Sequence, residues 1–181
     1  MSIDLESLRF PIGQFSRPQK YSQEDVERWI SDIEEFPSLL EKETAGLSTE
    51  ELSWIYRPDG WSILQLVHHC ADSHMNSFIR YKLTMTEEKP TIRPYFEDKW
   101  AEMTDYSEVE IQASLYILKG LHSRWVKLLS DLSMEDLERE FIHPEHGWTM
   151  SLGANTALYS WHCQHHLEHV KLAKKYKGEF N

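Results

Sequence analysis

Cysteine, glycine and proline are scarce in this 181-residue chain, and each shortage excludes a class of protein. The two cysteines, Cys70 and Cys163, cannot build the disulfide framework of a small secreted domain. Seven glycines and seven prolines are too few for a fold made mostly of turns. We therefore expect a regular globular fold and a cytoplasmic location, where thiols stay reduced.

Long apolar runs and excess positive charge are also missing. No stretch approaches the roughly 20 consecutive apolar residues that a membrane-spanning helix needs. Residues 1–13 lack the basic and apolar stretches of a signal peptide. The formal net charge is −11, and an acidic surface repels phosphate backbones and anionic lipids. Nucleic acid and membrane are therefore not expected as partners.

Apolar residues recur at helical spacing over four long segments. Capping boxes, in which a serine is followed three residues later by an acid or amide, predict where three of these helices begin. The pairs are Ser22 with Asp25, Ser62 with Gln65, and Ser107 with Glu110. The fourth long helix is predicted over residues 152–176, and Pro37 is expected to kink or split the first. A small hairpin is expected around residues 141–150, and one helical turn within the connection 88–106.

Four long helices joined by shorter pieces predict an all-α fold, a four-helix up-down bundle with a long crossover connection. Residues 1–181 are expected to form a single domain. Pro11, Gly13 and Pro18 oppose regular structure near the N-terminus. We therefore expect residues 1–21 to form an extended N-terminal arm.

Four of the ten histidines lie close together near the C-terminus: His162, His165, His166 and His169. At about 100° per residue, all four lie on one face of the fourth long helix. His162 and His166 are four residues apart, which lets both imidazoles reach one metal ion. His165 and His169 have the same spacing, so spacing alone leaves both pairs as candidate ligands.

The second long helix carries a polar strip on one face. Its members are Gln65, His69, Asp72, Ser73 and Asn76. Burying unpaired imidazoles and a carboxylate would cost several kcal/mol, and a metal ion with hydrogen-bonded outer groups removes much of that cost. We therefore predict a divalent metal ion between the two helices.

The other histidines are interpreted without a metal. His74 is expected to point about 140° away from His69 around the helix. With His122, His143 and His146, it is interpreted as a surface residue or a core residue with local partners. Cys70 and Cys163 each follow a candidate ligand and point about 100° away from it, so they are interpreted as small buried hydrophobes.

The ligand spacing excludes one familiar class of metalloenzyme. Between His162 and His166 stand a cysteine, a glutamine and a histidine, without the glutamate that serves as base in HExxH proteases. Three neutral histidines with an open position are instead typical of sites that lower the pKa of a bound water. Such a ligand set accepts zinc, nickel or cobalt.

Three stretches resemble the DinB/YfiT-like superfamily of helical-bundle proteins. They are residues 60–76 (GWSILQLVHHCADSHMN), 86–95 (TEEKPTIRPY) and 159–169 (YSWHCQHHLEH). The resemblance covers nearly the whole chain. In that family the ligands are one histidine of the second helix and an HxxxH pair of the last. By motif position, the resemblance implies that the metal ligands are His69, His162 and His166.

The resemblance also implies a function. We expect a metal-dependent hydrolase that activates water, forms a homodimer, and holds one divalent ion per chain, Zn or Ni, for a small-molecule substrate. Other members of the superfamily resemble thiol transferases, so transfer of a low-molecular-weight thiol such as bacillithiol is the alternative. Non-catalytic metal binding is the third hypothesis. Asp72 and His165 are candidates for orienting a ligand or accepting a proton. Arg80, Arg93 and Arg124 are candidates for binding substrate carboxylates.

Overall fold

Four long helices dominate the fold in the computed structural model, which describes residues 4–145 and 147–181. The interpretation of His146 lies outside the described residues. In chain order the elements are α1 (Leu5–Arg9), α2 (Gln23–Thr44), α3 (Thr49–Leu52), α4 (Ile63–Thr86), α5 (Glu97–Trp100), α6 (Asp105–Glu108), α7 (Ile111–Ser130), α8 (Met134–Leu137), β1 (Glu140–His143), β2 (Trp148–Ser151) and α9 (Leu152–Tyr176).

Two of the three predicted capping boxes are present. The side chains of Ser22 and Ser62 accept hydrogen bonds from backbone amides in the first turns of α2 and α4. The third prediction was wrong, because Ser107 lies inside α6 and its hydroxyl donates to the Thr104 carbonyl. Val109 is extended and separates α6 from α7, so Glu110 becomes the N-cap of α7 without a side-chain hydrogen bond.

The sequence predicted an extended N-terminal arm, but the arm is not extended throughout. Asp4 caps the short helix α1, which lies ahead of the residues expected to prevent regular structure. Pro11 and Gly13 therefore follow the helix instead of preventing it, and Gly13 adopts a φ of 80°. The Trp161 indole donates to the Gly13 carbonyl at 3.1 Å, so this part of the arm lies against α9.

The four long helices confirm the four-helix bundle, and their pairing positions the histidines. α2 packs against α7 and α9, and α4 packs against the same two helices. The consecutive helices α2 and α4 therefore stand on opposite sides of the bundle. The core between them contains the fully buried side chains of Phe36, Tyr81, Leu118 and Trp125. This arrangement places α4 and α9, which carry the candidate ligands, side by side.

The predicted hairpin is present as the antiparallel pair β1 and β2, with Glu140 opposite Ser151 and His143 opposite Trp148. A parallel bridge between Thr91 and Ile142 ties the hairpin to the connection after α4. The predicted helical turn in that connection is α5, and α6 adds another. Within the described residues, no helix is both long and apolar enough to cross a membrane.

Pro37 neither ends nor splits α2, which continues to Thr44. Proline has no amide hydrogen, so the Ile33 carbonyl one turn earlier loses its helical partner. The imidazole of His122 supplies a replacement, because its Nδ1–H donates to that carbonyl at 2.6 Å. The helix thus tolerates Pro37 at a point where α7 provides a hydrogen-bond donor.

Gly153, in the first turn of α9, provides a test of packing. A methyl group there would collide with the hydroxyl end of Tyr21, which donates to the Glu138 carboxylate. We expect Gly153→Ala to lower the free energy of unfolding by about 1–3 kcal/mol, since overpacking forces neighbours to move. Urea denaturation would measure this.

Gly120, inside α7, is the matched control because a methyl group there meets no atom within 4 Å. Gly120→Ala should raise the free energy of unfolding by about 0.5–1 kcal/mol, as alanine favours helix. Equal effects of the two substitutions would contradict the close contact between Tyr21 and α9.

Candidate metal centre

The three predicted ligands converge between α4 and α9. One nitrogen from each of His69, His162 and His166 lies within 4.8 Å of the other two. The Nε2 atoms of His69 and His162 are 3.3 Å apart. Two ligand nitrogens on a tetrahedral zinc ion, each 2.0–2.1 Å from the metal, would be separated by about 3.3 Å. The spacing of this pair therefore fits a shared ion.

Buried imidazole nitrogens without a protein partner are concentrated at this site. They are the Nδ1 atoms of His69, His165, His166 and His169. His69 is 3% exposed and His166 is 7% exposed. Leaving polar atoms unpaired at such depth costs free energy, so this donor set fits a divalent cation much better than an apolar core.

The bundle keeps the three imidazoles uncharged. Burial, and secondarily the neighbouring His165, lowers the pKa of His69 to about 3. Desolvation and then the adjacent histidines hold the pKa values of His162 and His166 well below the ordinary range. A histidine must be deprotonated to bind a metal ion. The three candidate ligands are therefore in the protonation state that a metal ion requires.

The alternative pair, His165 and His169, lies beside the first set and forms a second close group with His166. Other contacts engage both rings. His169 stacks on Tyr56 with a centroid distance of 3.8 Å, and its Nε2–H donates to the Arg9 carbonyl at 3.1 Å. His165 stacks on Trp161 at 4.3 Å. These contacts favour a role in the wall of the site.

A cavity of about 390 Å³ opens onto the three ligands. Its apolar wall includes Trp61, whose ring centroid lies 4.6 Å from that of His69. Its charged lining comprises Arg9, Arg57, Asp59, Glu97 and Asp98. The site therefore combines a metal-binding set with an accessible space of the size of a small-molecule pocket.

A second cavity, of about 480 Å³, reaches His162 from another side. Glu97 and Asp98 of α5 line both cavities. Desolvation, followed by repulsion from Asp98 and Glu145, raises the pKa of Glu97. These carboxylates carry no functional signature in the sequence, because an acidic pair in the first turn of a short helix usually serves only the helix dipole.

The candidate proton acceptors are placed differently from one another. His165 borders the 390 Å³ cavity, as expected of a residue near the ligands. Asp72 instead accepts a hydrogen bond from the Tyr106 hydroxyl at 2.7 Å, and burial raises its pKa. Among the described residues, its carboxylate makes no hydrogen bond to the three ligands. Its contacts tie α4 to α6.

The arginines near the ligands are mostly not those considered from the sequence. Arg9 and Arg57 line the 390 Å³ cavity, while Arg80 lines the second one. Arg124 lies over the Phe78 ring, and Arg93 is exposed. Arg9 lies in the N-terminal arm, far from the histidine motifs in sequence, so helix periodicity could not place it at the site.

His74 is a buried core residue with local partners, one of the two alternatives that the sequence left open, but one of those partners is a candidate ligand. Its Nε2 lies 3.1 Å from Nδ1 of His162. α4 packs against both α7 and α9, so a residue 140° around the helix from His69 still faces the bundle. The interpretation of His122 as a core residue with local partners is confirmed. Cys70 and Cys163 are buried, as predicted, and burial raises their thiol pKa values.

Removing a ligand should affect metal binding much more than removing a wall histidine. We expect His69→Ala to weaken zinc binding by roughly 100-fold or more, since even outer-shell substitutions cost about 10–100-fold. His169→Ala, the matched control in the same cluster, should change the affinity only a few-fold. Titration against a zinc-sensitive chelator would measure both, and the reverse order would assign the site to His165, His166 and His169.

Comparison with known proteins identifies the family of this chain. Residues 21–170 match the model of the DinB superfamily. Relatives from Bacillus cereus and Bacillus thuringiensis, both named "putative metal-dependent hydrolase", are each 47% identical over 171 residues, covering 94% of this chain and 98% of theirs. A solved structure, YfiT from Bacillus subtilis, superposes with a TM-score of 0.92 at 39% identity. The superposition covers 95% of this chain and 98% of the YfiT chain. YfiT is described as "a probable metal-dependent hydrolase with an unusual four-helix bundle topology". This chain belongs to the DinB superfamily.

Proposed function

We propose that this protein is a metal-dependent hydrolase acting on a small molecule, with one zinc or nickel ion held by His69, His162 and His166. The observation that carries the proposal is the convergence of three uncharged imidazoles on an open cavity. The names of the relatives from Bacillus cereus and Bacillus subtilis support the same class of reaction.

A divalent ion in this position would lower the pKa of a water molecule bound to it and make that water a nucleophile near neutral pH. The protein's own groups then have separate tasks. The three histidines would hold the ion, and Trp61 packs on His69 and limits its rotation. Glu97 lies on the cavity wall with a raised pKa, so its carboxylate is suited to accept the proton that water releases.

The charges around the cavity indicate the kind of substrate. Arg9 and Arg57 would bind an anionic group, while Asp59 and the two acids of α5 would bind a cationic one. The Nε of Arg57 is buried without a protein partner. A cavity of about 390 Å³ with both signs of charge suits a small zwitterionic molecule.

A metal-dependent thiol transferase is the second candidate function, because the same lining would bind a thiol that carries an amine and a carboxylate. Arg9 and Arg57 would bind the carboxylate of such a thiol, and the acids of α5 would bind its amine. A non-catalytic role fits less well, since structural zinc sites are closed by four protein ligands. Within the described residues, the group around His69 supplies three ligands.

Activity should depend on both the ion and Glu97. We expect the zinc- or nickel-loaded protein to hydrolyse activated esters or amides, and Glu97→Gln to lower kcat by about 10²-fold or more without loss of metal, as expected for removal of a general base. Glu102→Gln is the control, because Glu102 is exposed in the same connection and lines neither cavity. Kinetics and metal content would be measured on the same samples.

The same samples should be tested with chlorodinitrobenzene and either cysteine or bacillithiol. Faster metal-dependent thiol conjugation than hydrolysis would replace the hydrolase proposal with the transferase. Absence of both reactions, with the ion bound, would leave non-catalytic metal binding as the function.

A further inference from the structure

Three histidines form one continuous hydrogen-bonded chain that crosses the bundle from α2 to the metal-binding set. His122 Nδ1 lies 2.6 Å from the Ile33 carbonyl oxygen, and His122 Nε2 lies 2.7 Å from His74 Nδ1. His74 Nε2 lies 3.1 Å from His162 Nδ1. The other nitrogen of His162, Nε2, is the atom that faces His69.

The Ile33 carbonyl, at one end of this hydrogen-bonded chain, determines which nitrogen of each histidine carries the proton. A carbonyl oxygen can only accept, so His122 must carry its proton on Nδ1. If the ring is neutral, its Nε2 accepts, and His74 must then donate through Nδ1–H. His74 Nε2 accepts in turn, which places the proton of His162 on Nδ1. The lone pair of His162 is therefore on Nε2, the nitrogen that faces the ligand set.

The carbonyl that starts this chain is free because of Pro37. In an uninterrupted helix, the Ile33 carbonyl would accept from the amide of residue 37. Proline has no such amide hydrogen, and the His122 Nδ1–H takes its place. Pro37 in the middle of α2 thus affects His162 through the side chains of His122 and His74.

The two intermediate rings have little freedom to rotate. His74 is fully buried and His122 is 2% exposed. Phe36 lies against both, with centroid distances of 5.3 and 5.9 Å. Trp125 also lies against both, at 5.8 and 5.7 Å. A rotated ring would have to break its hydrogen bonds within this aromatic enclosure.

We propose that His74 and His122 are positioning residues that hold His162 in its Nδ1–H tautomer, so that its Nε2 lone pair points into the metal-binding set. The tautomer of His162 follows from the protein alone, while the effect on metal affinity rests on the proposed function. Because the chain ends on a carbonyl, which cannot take up a proton, it orients His162 and does not conduct protons away from the site.

The first test needs no metal and no variant. Long-range ¹⁵N–¹H correlation spectra of the ¹⁵N-histidine-labelled metal-free protein distinguish Nδ1–H from Nε2–H tautomers. His74, His122 and His162 should all be Nδ1–H. An Nε2–H tautomer for His162 in the wild-type protein would overturn the proposal.

The second test breaks the chain at its far end. His122→Phe keeps an aromatic ring but removes both nitrogens, and should leave His162 in a mixture of tautomers. His122→Gln should restore much of the wild-type pattern, since its amide can donate to Ile33 and accept from His74. His68→Phe is the matched control: His68 is a buried histidine of α4 that bonds Ser114 and Val109 instead of this chain.

Zinc affinity of the same variants connects the tautomer to the site. His122→Phe should bind zinc about 10–100-fold more weakly, the range typical of outer-shell substitutions, while His122→Gln recovers and His68→Phe stays near wild type. If wild type binds zinc and His122→Phe matches it in affinity and tautomers, the positioning role fails while the proposed function stands. If wild type binds neither zinc nor nickel, the proposed function fails, and the spectrum of the wild-type protein still decides the tautomer. If His122→Phe does not fold, the wild-type spectrum alone decides whether His162 is in the Nδ1–H tautomer.

Discussion

The burial of uncharged imidazoles in the middle of a helical bundle is the constraint on which this structure depends. An imidazole without a partner is costly in an apolar core, and protonation is suppressed because burial lowers the pKa values of these histidines. Each ring must therefore have a hydrogen-bond partner at both nitrogens, or keep one nitrogen available to a metal ion or another ligand. His74 and His122 have both nitrogens satisfied by protein groups. His69 and His166 each keep an Nδ1 without a protein partner, as do the neighbouring His165 and His169. The unpartnered nitrogens of this cluster therefore lie at the candidate metal centre.

The helix pairing makes this arrangement achievable. Because α2 and α4 stand on opposite sides of the bundle, α7 and α9 each contact both of them. His122 on α7 can then reach the Ile33 carbonyl of α2 and His74 of α4. His162 on α9 can reach two residues of α4 that lie on different faces. The candidate ligands and the groups that support them thus come from all four long helices.

Much of the fold could be predicted from local signals, because the helix starts at Ser22 and Ser62 depend on side chains three residues away. The predicted bounds of α9 agree with the structure, and those of the hairpin agree to within one residue at each end, since hydrophobic periodicity and turn signals are also local. The capping assignment at Ser107 was wrong, since local spacing does not reveal where an extended residue interrupts a helix. Which helices become neighbours is a tertiary property, and no periodicity within one helix contains it.

The candidate ligands could be proposed from the sequence because their spacing and their family motif both lie within single helices. The pair His165 and His169 was indistinguishable by spacing, and stacking on Trp161 and Tyr56 separates it only in three dimensions. Glu97, Arg9 and Arg57 come from the connection, the arm and a turn, so their approach to the histidines has no one-dimensional signature. The same holds for the link between Pro37 and His162.

Metal content is the measurement that tests the central claim most directly. The protein would be purified without a histidine tag, incubated with zinc or nickel, and compared with His162→Ala by inductively coupled plasma mass spectrometry. About one ion per chain in the intact protein, lost in the variant, is the result that a site built on His69, His162 and His166 predicts. An intact protein that binds no ion after incubation would contradict it, and the histidine cluster would then be a buried polar network.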